Sequence, residues 1–277
     1  METVATEEGA LQLRQRGEQE FLITIDGRVL MTSHDRRSEI GLAELACKDL
    51  AARGPGTPRV LIGGLGMAYT VRAALDVLPA SADVVVAELT PTVAAWCKGP
   101  LAVLTNGAVN DRRVSVVIGD VSRVIADAPH GHYDAIILDL YEGPHAATQR
   151  GDDPFYGGPA LTRSRAALVP RGVLAVWSED PDAAFKRRFE HVGFDVEVHK
   201  MGATRKHVVY LGRRAQIRSA EPPRPKAKPI ADGRLGPWRP SKSSKPSKPK
   251  AGPPSAEAGR PSGRAPGRAS AAGKRPR

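Results

Sequence analysis

A glycine turn and four carboxylates carry the chemistry that can be read from this chain. In "VLIGGLGMAYTVRAAL", Val60 to Leu75, an apolar strand pattern runs into Gly64-Leu65-Gly66 and then into a helical pattern. Such a turn lets backbone come close to a ligand. Glu88 closes the next apolar segment, about 22 residues after Gly66. Asp120 follows Gly119 after a third segment, and Asp139 ends a fourth, with Glu142 close behind. A carboxylate at a strand end can accept both hydroxyl protons of a ribose or an amino proton of adenine. It can also hold a cationic amine and take a proton from it. The plainer alternatives are helix capping and a solvated loop.

These residues need a scaffold that brings separate strand ends together. Val60–Gly63, Val84–Glu88, Val114–Ile118, Ala135–Asp139 and Val173–Trp177 are short, apolar on both faces and separated by helical or loop segments. That is the signature of a parallel sheet covered on both sides. In such a sheet ligands bind beyond the carboxyl ends of the strands, where the strand order reverses. Phe194–Val198 and His207–Leu211, joined by a short loop, predict an antiparallel pair, and "PDAAFKRRFEHVGF" predicts an amphipathic helix with Phe185 and Phe189 inward. Upstream, "LQLRQ", "FLITI" and "RVLMT" alternate, and Asp26-Gly27 between the last two is a hairpin signal. A helix is expected over Glu39–Ala52. The long polar segment His145 to Gly158 has the character of a lid, in which Asp152 and Asp153 would add negative potential or form a solvated turn. Trp177 ends the fifth strand on the same rim, as core or as a substrate contact.

The turn narrows the ligand. A Walker loop would need Lys and Ser/Thr after its last glycine, and neither is present. In a dinucleotide fingerprint the position of Tyr69 would be a third glycine. An adenosyl ligand without a pyrophosphate remains, such as S-adenosylmethionine.

Charge is divided unevenly. From Arg213 onward there are 18 Lys/Arg against 3 Asp/Glu, so the preceding part of this +11 chain is mildly acidic. The basic segment is rich in Pro, Gly and Ser and poor in apolar residues, which predicts disorder. It reads as a solubilising extension or as an arm that binds nucleic acid or another polyanion weakly, through phosphates. Cys47 and Cys97 cannot form a disulfide framework and fit a reduced, cytoplasmic protein. No signal peptide or membrane-spanning run is read, and His130 and His132 lack metal-ligand spacing, so no metal is expected.

Taken together, these motifs resemble the spermidine synthase (polyamine aminopropyltransferase) branch of the class I S-adenosylmethionine-dependent methyltransferases. "ITIDGRVLMT" resembles the branch's N-terminal hairpin, and "GLGMAYTVRA" resembles "GGGDGGTLRE". "VVVAEL" resembles "VVLVEID", "DRRVSVVIGD" resembles "DPRVTLHVGD", and "YDAIILDLYEGP" resembles "YDVIIVDSSDP". The resemblance implies an α/β, Rossmann-like methyltransferase sheet, mostly parallel with an antiparallel last strand. Residues 1–53 would form a β-hairpin region and helix, 54–212 the S-adenosyl-binding domain, and 213–277 the basic tail. Gly64, Leu65 and Gly66 would cradle the donor, Glu88 would bind its ribose, and Asp120 would contact its adenine. Asp139 and Glu142 match the two acids of "DSSD", the second of which acts in catalysis; the pair would bind a cationic amine and take its proton, with Asp139 also lining the donor. The donor would be S-adenosylmethionine or its decarboxylated form, the acceptor a small cationic amine, and family members often form oligomers. Three positions depart from the family. Met67 replaces the aspartate of "GGGDGG", which helps hold the aminopropyl group, Leu30 replaces a glutamine that lines the substrate site, and Glu142, one methylene longer, replaces the second aspartate of "DSSD". The family pattern, with its hairpin and paired acids, makes aminopropyl transfer the first expectation. Methyl transfer to a small molecule or nucleic acid is the second, and a catalytically silent binding protein the third.

Overall fold

Alternation along the central strands splits the interior into two layers. In the strand Arg59–Gly63, Val60 and Ile62 face one layer while Leu61 faces the other. In Tyr133–Leu138, Ala135 and Ile137 face the first layer and Ile136 and Leu138 the second. Strands buried on both faces must be covered on both faces, and helices do this here. The computed structural model describes residues 2–6, 9–50, 52, 56–141, 143–144, 150–201 and 206–215.

The chain begins with β1 (Glu2–Thr6), β2 (Gly9–Arg16), β3 (Glu20–Ile25) and β4 (Arg28–Thr32), an antiparallel meander of four strands. The hairpin turn is as expected: Asp26 and Gly27 both have positive φ, at 44° and 78°. β1 was not expected, because "ETVAT" is short and its stabilisation comes from pairing with β2 and not from its own pattern. Its Glu2 carboxylate accepts a 2.7 Å hydrogen bond from the Trp96 indole. Helix α1 covers Arg37–Cys47, ending earlier than expected. The Leu50 amide donates to Cys47 O in a turn that drops Leu50 into the core.

The second sheet contains β5 (Arg59–Gly63), β6 (Asp83–Glu88), β7 (Val114–Ile118), β8 (Tyr133–Leu138), β9 (Leu168–Ser178), β10 (Phe194–Met201) and β11 (His207–Arg214). Its order is β10-β11-β9-β8-β5-β6-β7. β5 to β9 pair in parallel, and β11 is antiparallel to both β9 and β10. The parallel sheet and antiparallel last strand match the expected class. Helices α2 (Tyr69–Val77), α3 (Pro91–Lys98), α4 (Ala102–Thr105), α5 (Val121–Asp127), α6 (Gly158–Ala167) and α7 (Ala183–His191) complete the covering layers. Phe185 and Phe189 of α7 are buried, as their spacing predicts. β9 starts earlier than expected because Leu168 already pairs with Tyr133 before an irregularity in register.

This order places the reversal at β5: β6 lies on one side of it and β8 on the other. Gly64, immediately after β5, has φ +88°, and a Cβ there would come within 2.2 Å of the Asp139 carbonyl oxygen. Gly64→Ala should therefore destabilise the protein by at least about 3 kcal/mol. Gly119→Ala, where a Cβ meets nothing within 4 Å, should stay within about 0.5 kcal/mol of the parent. Urea unfolding of both variants checks this, and equal costs would contradict it.

Candidate active site at the carboxyl ends of the parallel strands

Backbone hydrogen bonds stitch the strand ends into one continuous rim. The Asp139 amide donates to Gly63 O, the Gly64 amide to Ala87 O and the Gly119 amide to Glu88 O, each at 2.9 Å. Asp139, the glycine turn, Glu88 and Gly119-Asp120 consequently stand side by side in that order. The structure thus brings together the expected residues Gly64, Leu65, Gly66, Glu88, Asp120 and Asp139. Glu142 lies outside the described residues.

Glu88 is 8% exposed. Its Oε2 accepts from the Leu65 amide at 2.9 Å, and its Oε1 accepts from the Thr90 amide at 2.8 Å. Burial pushes its pKa up, and these backbone bonds pull it back. The Leu89 amide contributes a third backbone bond, so of the roughly four acceptor positions of a carboxylate about one remains for a ligand hydroxyl. Leu89, next along the rim, is 64% exposed. Sequence reasoning passed over it, because a single apolar residue after a strand gives no pattern. Asp120 caps α5: Oδ1 accepts from the Ser122 amide at 2.8 Å and Oδ2 from the Ser122 hydroxyl at 2.9 Å.

Asp139 is partly buried, and the Thr70 hydroxyl donates to its Oδ2 at 2.5 Å. Burial first, and then the nearby Glu39 carboxylate, push its pKa up to about 7; the Thr70 bond acts against them. Glu39 is in the first turn of α1, a helix that packs against β8, β9 and β11. The Ser38 hydroxyl donates to Glu39 Oε2 at 2.7 Å, and His207 Nδ1 lies 3.2 Å from that hydroxyl. Burial raises the Glu39 pKa as well. The sequence marked Glu39 only as a helix start, and nothing in its spacing linked it to Asp139. The Trp177 ring packs edge-on to His207 at 5.1 Å. Asp153 is a turn cap, accepting from the Phe155 and Tyr156 amides at 2.9 and 2.7 Å, while Asp152 is exposed beside Arg150.

No family model matches the chain. A curated relative, polyamine aminopropyltransferase 2 of Streptomyces coelicolor, is 33% identical over 162 residues, or 57% of this chain. The chain spans 27% of that relative's length. Spermidine synthase from Thermotoga maritima superposes with a TM-score of 0.62 at 19% identity, over 78% of this chain and 72% of its own. A spermidine synthase in complex with the transition-state analogue AdoDATO gives 0.61 at 18% identity, with the same coverage. A probable spermidine synthase from Corynebacterium glutamicum gives 0.54 at 16% identity, over 76% of this chain and 79% of its own. The fold is that of the spermidine synthases.

Within the spermidine synthase fold, two of the departures noted in the sequence lie on the apolar side. Met67 is 0% exposed and belongs to the core beneath the glycine turn. Leu30 of β4 is partly buried against the same core. Its neighbour Met31 would meet a Cβ on Gly66 at 2.9 Å. The N-terminal meander therefore presses on the turn directly, assisted by a 3.2 Å bond from the Tyr69 hydroxyl to Ser33 O. Among the described residues no helix is long and apolar enough to cross a membrane, and no group of His, Cys, Asp or Glu could hold a metal ion.

The raised pKa of Asp139 has a consequence for stability. The folded carboxyl keeps its proton up to about pH 7, against an ordinary value of 3.8. The native state binds more protons than the unfolded state between these limits, so stability falls as pH rises through them. Asp139→Asn should remove this penalty. We expect a gain on the order of 2 kcal/mol at pH 8 and little change at pH 4. Urea unfolding at the two pH values is the measurement, and a pH-independent difference would contradict the assignment.

Proposed function

We propose that the chain is a spermidine-synthase-like transferase that moves an aminopropyl group from decarboxylated S-adenosylmethionine to a polyamine-type amine. The observation that carries this reading is the placement of Asp139, a shielded carboxyl titrating near 7, beside the glycine turn and Glu88. Gly64, Leu65 and Gly66 would line the donor, Glu88 would receive its ribose hydroxyls, and Leu89 would offer an apolar surface for its purine. Asp120 would accept from the adenine amino group with the capacity left by its capping role.

The chemistry is a displacement at a carbon attached to a sulfonium. The sulfonium leaves readily, so the protein's task is to align nucleophile and carbon. An ammonium has no lone pair and must first lose a proton. A carboxylate with a pKa near neutrality is suited to take it, because both of its protonation states are populated at working pH. Asp139 is the base in this reading. Glu142, which matches the second acid of the family motif, is assigned as its partner in catalysis.

Met67 favours a second reading, methyl transfer from S-adenosylmethionine, because an apolar, buried side chain stands where the family keeps a donor-side carboxylate. The division at residues 53 and 212 into a hairpin region, donor domain and tail is part of the proposal, although β11 runs on to Arg214. The segment beyond residue 215 lies outside the described residues and is proposed as a solubilising extension, with weak polyanion binding as its alternative. A gel shift at low salt with and without this segment distinguishes the two.

Calorimetry with both donors tests the main reading. Tighter binding of the decarboxylated donor is expected, and the reverse order would transfer the assignment to methyl transfer. Glu88→Gln should weaken either donor by about 1–3 kcal/mol, since it replaces an acceptor with a donor opposite a ribose hydroxyl. Unchanged affinity in that variant would mean that the ribose site is elsewhere.

A further inference from the structure

We propose that Glu39, on the N-terminal helix α1, is the second carboxylate of the acceptor site, and that it and Asp139 hold one protonated amine of the acceptor between them. This rests on the transferase reading above and names the groups that recognise its acceptor. The two acids reach the same place from unrelated parts of the chain. Asp139 is presented by the end of β8, with the Thr70 hydroxyl fixing one oxygen. Glu39 is presented by the first turn of α1, with Ser38 fixing one oxygen and His207 behind Ser38. Asp139 accepts from the Thr70 hydroxyl, and Glu39 accepts from the Ser38 hydroxyl and its own backbone amide, which leaves both with unused acceptor positions.

A separate observation points to a ligand there. Tyr156 is 5% exposed and its hydroxyl has no hydrogen-bond partner. That hydroxyl lies close enough to Asp139 for the carboxylate charge to oppose its ionisation. A primary ammonium carries three N–H donors, and two carboxylates and a phenol oxygen are three acceptors. A cation between two crowded carboxyls also removes their mutual repulsion, which lets both ionise. An anionic or neutral acceptor would leave that repulsion in place.

The reaction balances with these groups. One N–H proton of the ammonium passes to the carboxylate pair, and the freed lone pair attacks the carbon next to sulfur. The carbon–sulfur bond breaks, its electron pair stays on the thioether, and the product is a secondary ammonium.

The groups facing Glu39 are Asp139, Asp35, His207 and Tyr69, the last with Arg36 over its ring. Those facing Asp139 are Glu39, Thr70 and Tyr156. Removing the Glu39 charge should therefore move the Asp139 titration to lower pH, which tests that the two acids face each other, while the diamine affinity tests the role in binding.

The test is calorimetry on the full chain with 1,4-diaminobutane as acceptor probe and 5′-methylthioadenosine, the expected thioether product, as donor-side probe. Glu39→Gln should weaken the diamine at least tenfold and leave the thioether within twofold, which also shows that the variant is folded. Glu39→Asp should recover part of the diamine affinity. Carbon NMR of Asp139 should show its midpoint, about 7 in the parent, lowered in Glu39→Gln. Unchanged diamine binding with the thioether still bound would overturn the role of Glu39 and leave the transferase reading standing. A parent protein that binds neither probe would overturn both.

Discussion

The site depends on how closely two backbones can approach at the end of β5. The chain leaves β5 through Gly64 with so little room that the Asp139 carbonyl oxygen occupies the place of a side chain. Only a residue without a Cβ, in the left-handed region, passes there. That contact packs the turn against the end of β8 on one side, while the Gly64 amide ties it to β6 on the other. Asp139 takes its position from this crossing, and Glu88 is joined to it through the Leu65 amide.

The electrostatics follow from the same packing. Glu88 is buried where it can accept backbone amides, so its carboxylate is part of the turn. Asp139 is partly buried with a single hydroxyl and faces another acid, so desolvation and like charge act together on it. Burial raises both carboxyls; backbone donors oppose it at Glu88, while at Asp139 a facing acid adds to it.

The N-terminal meander does more than flank this site. Met31 presses on Gly66, Tyr69 is tied to Ser33, and Glu2 holds the indole of Trp96. Helix α1 then delivers Glu39 to the rim. Residues far apart in sequence are joined there because the meander packs on the glycine turn and α1 on the central strands.

The sequence by itself determined the class of sheet, its strands and the rim acids. Strands apolar on both faces must be sandwiched, and glycines and carboxylates at strand ends are visible as types and spacings. Asp26-Gly27 carried its own turn, since both residues tolerate positive φ. Helix capping, which Asp120 performs through Ser122 two residues on, was among the readings its position allowed. Strand β1 and the early end of α1 were not legible, because each depends on a partner supplied from elsewhere. Only the tertiary structure decided that Met67 lies in the core, that Thr70 bonds Asp139 and that Glu39 faces it. Periodicity records which way a side chain points from its own element. The ionisation of a carboxyl is set by what other elements bring against it, and that information is spread along the whole chain.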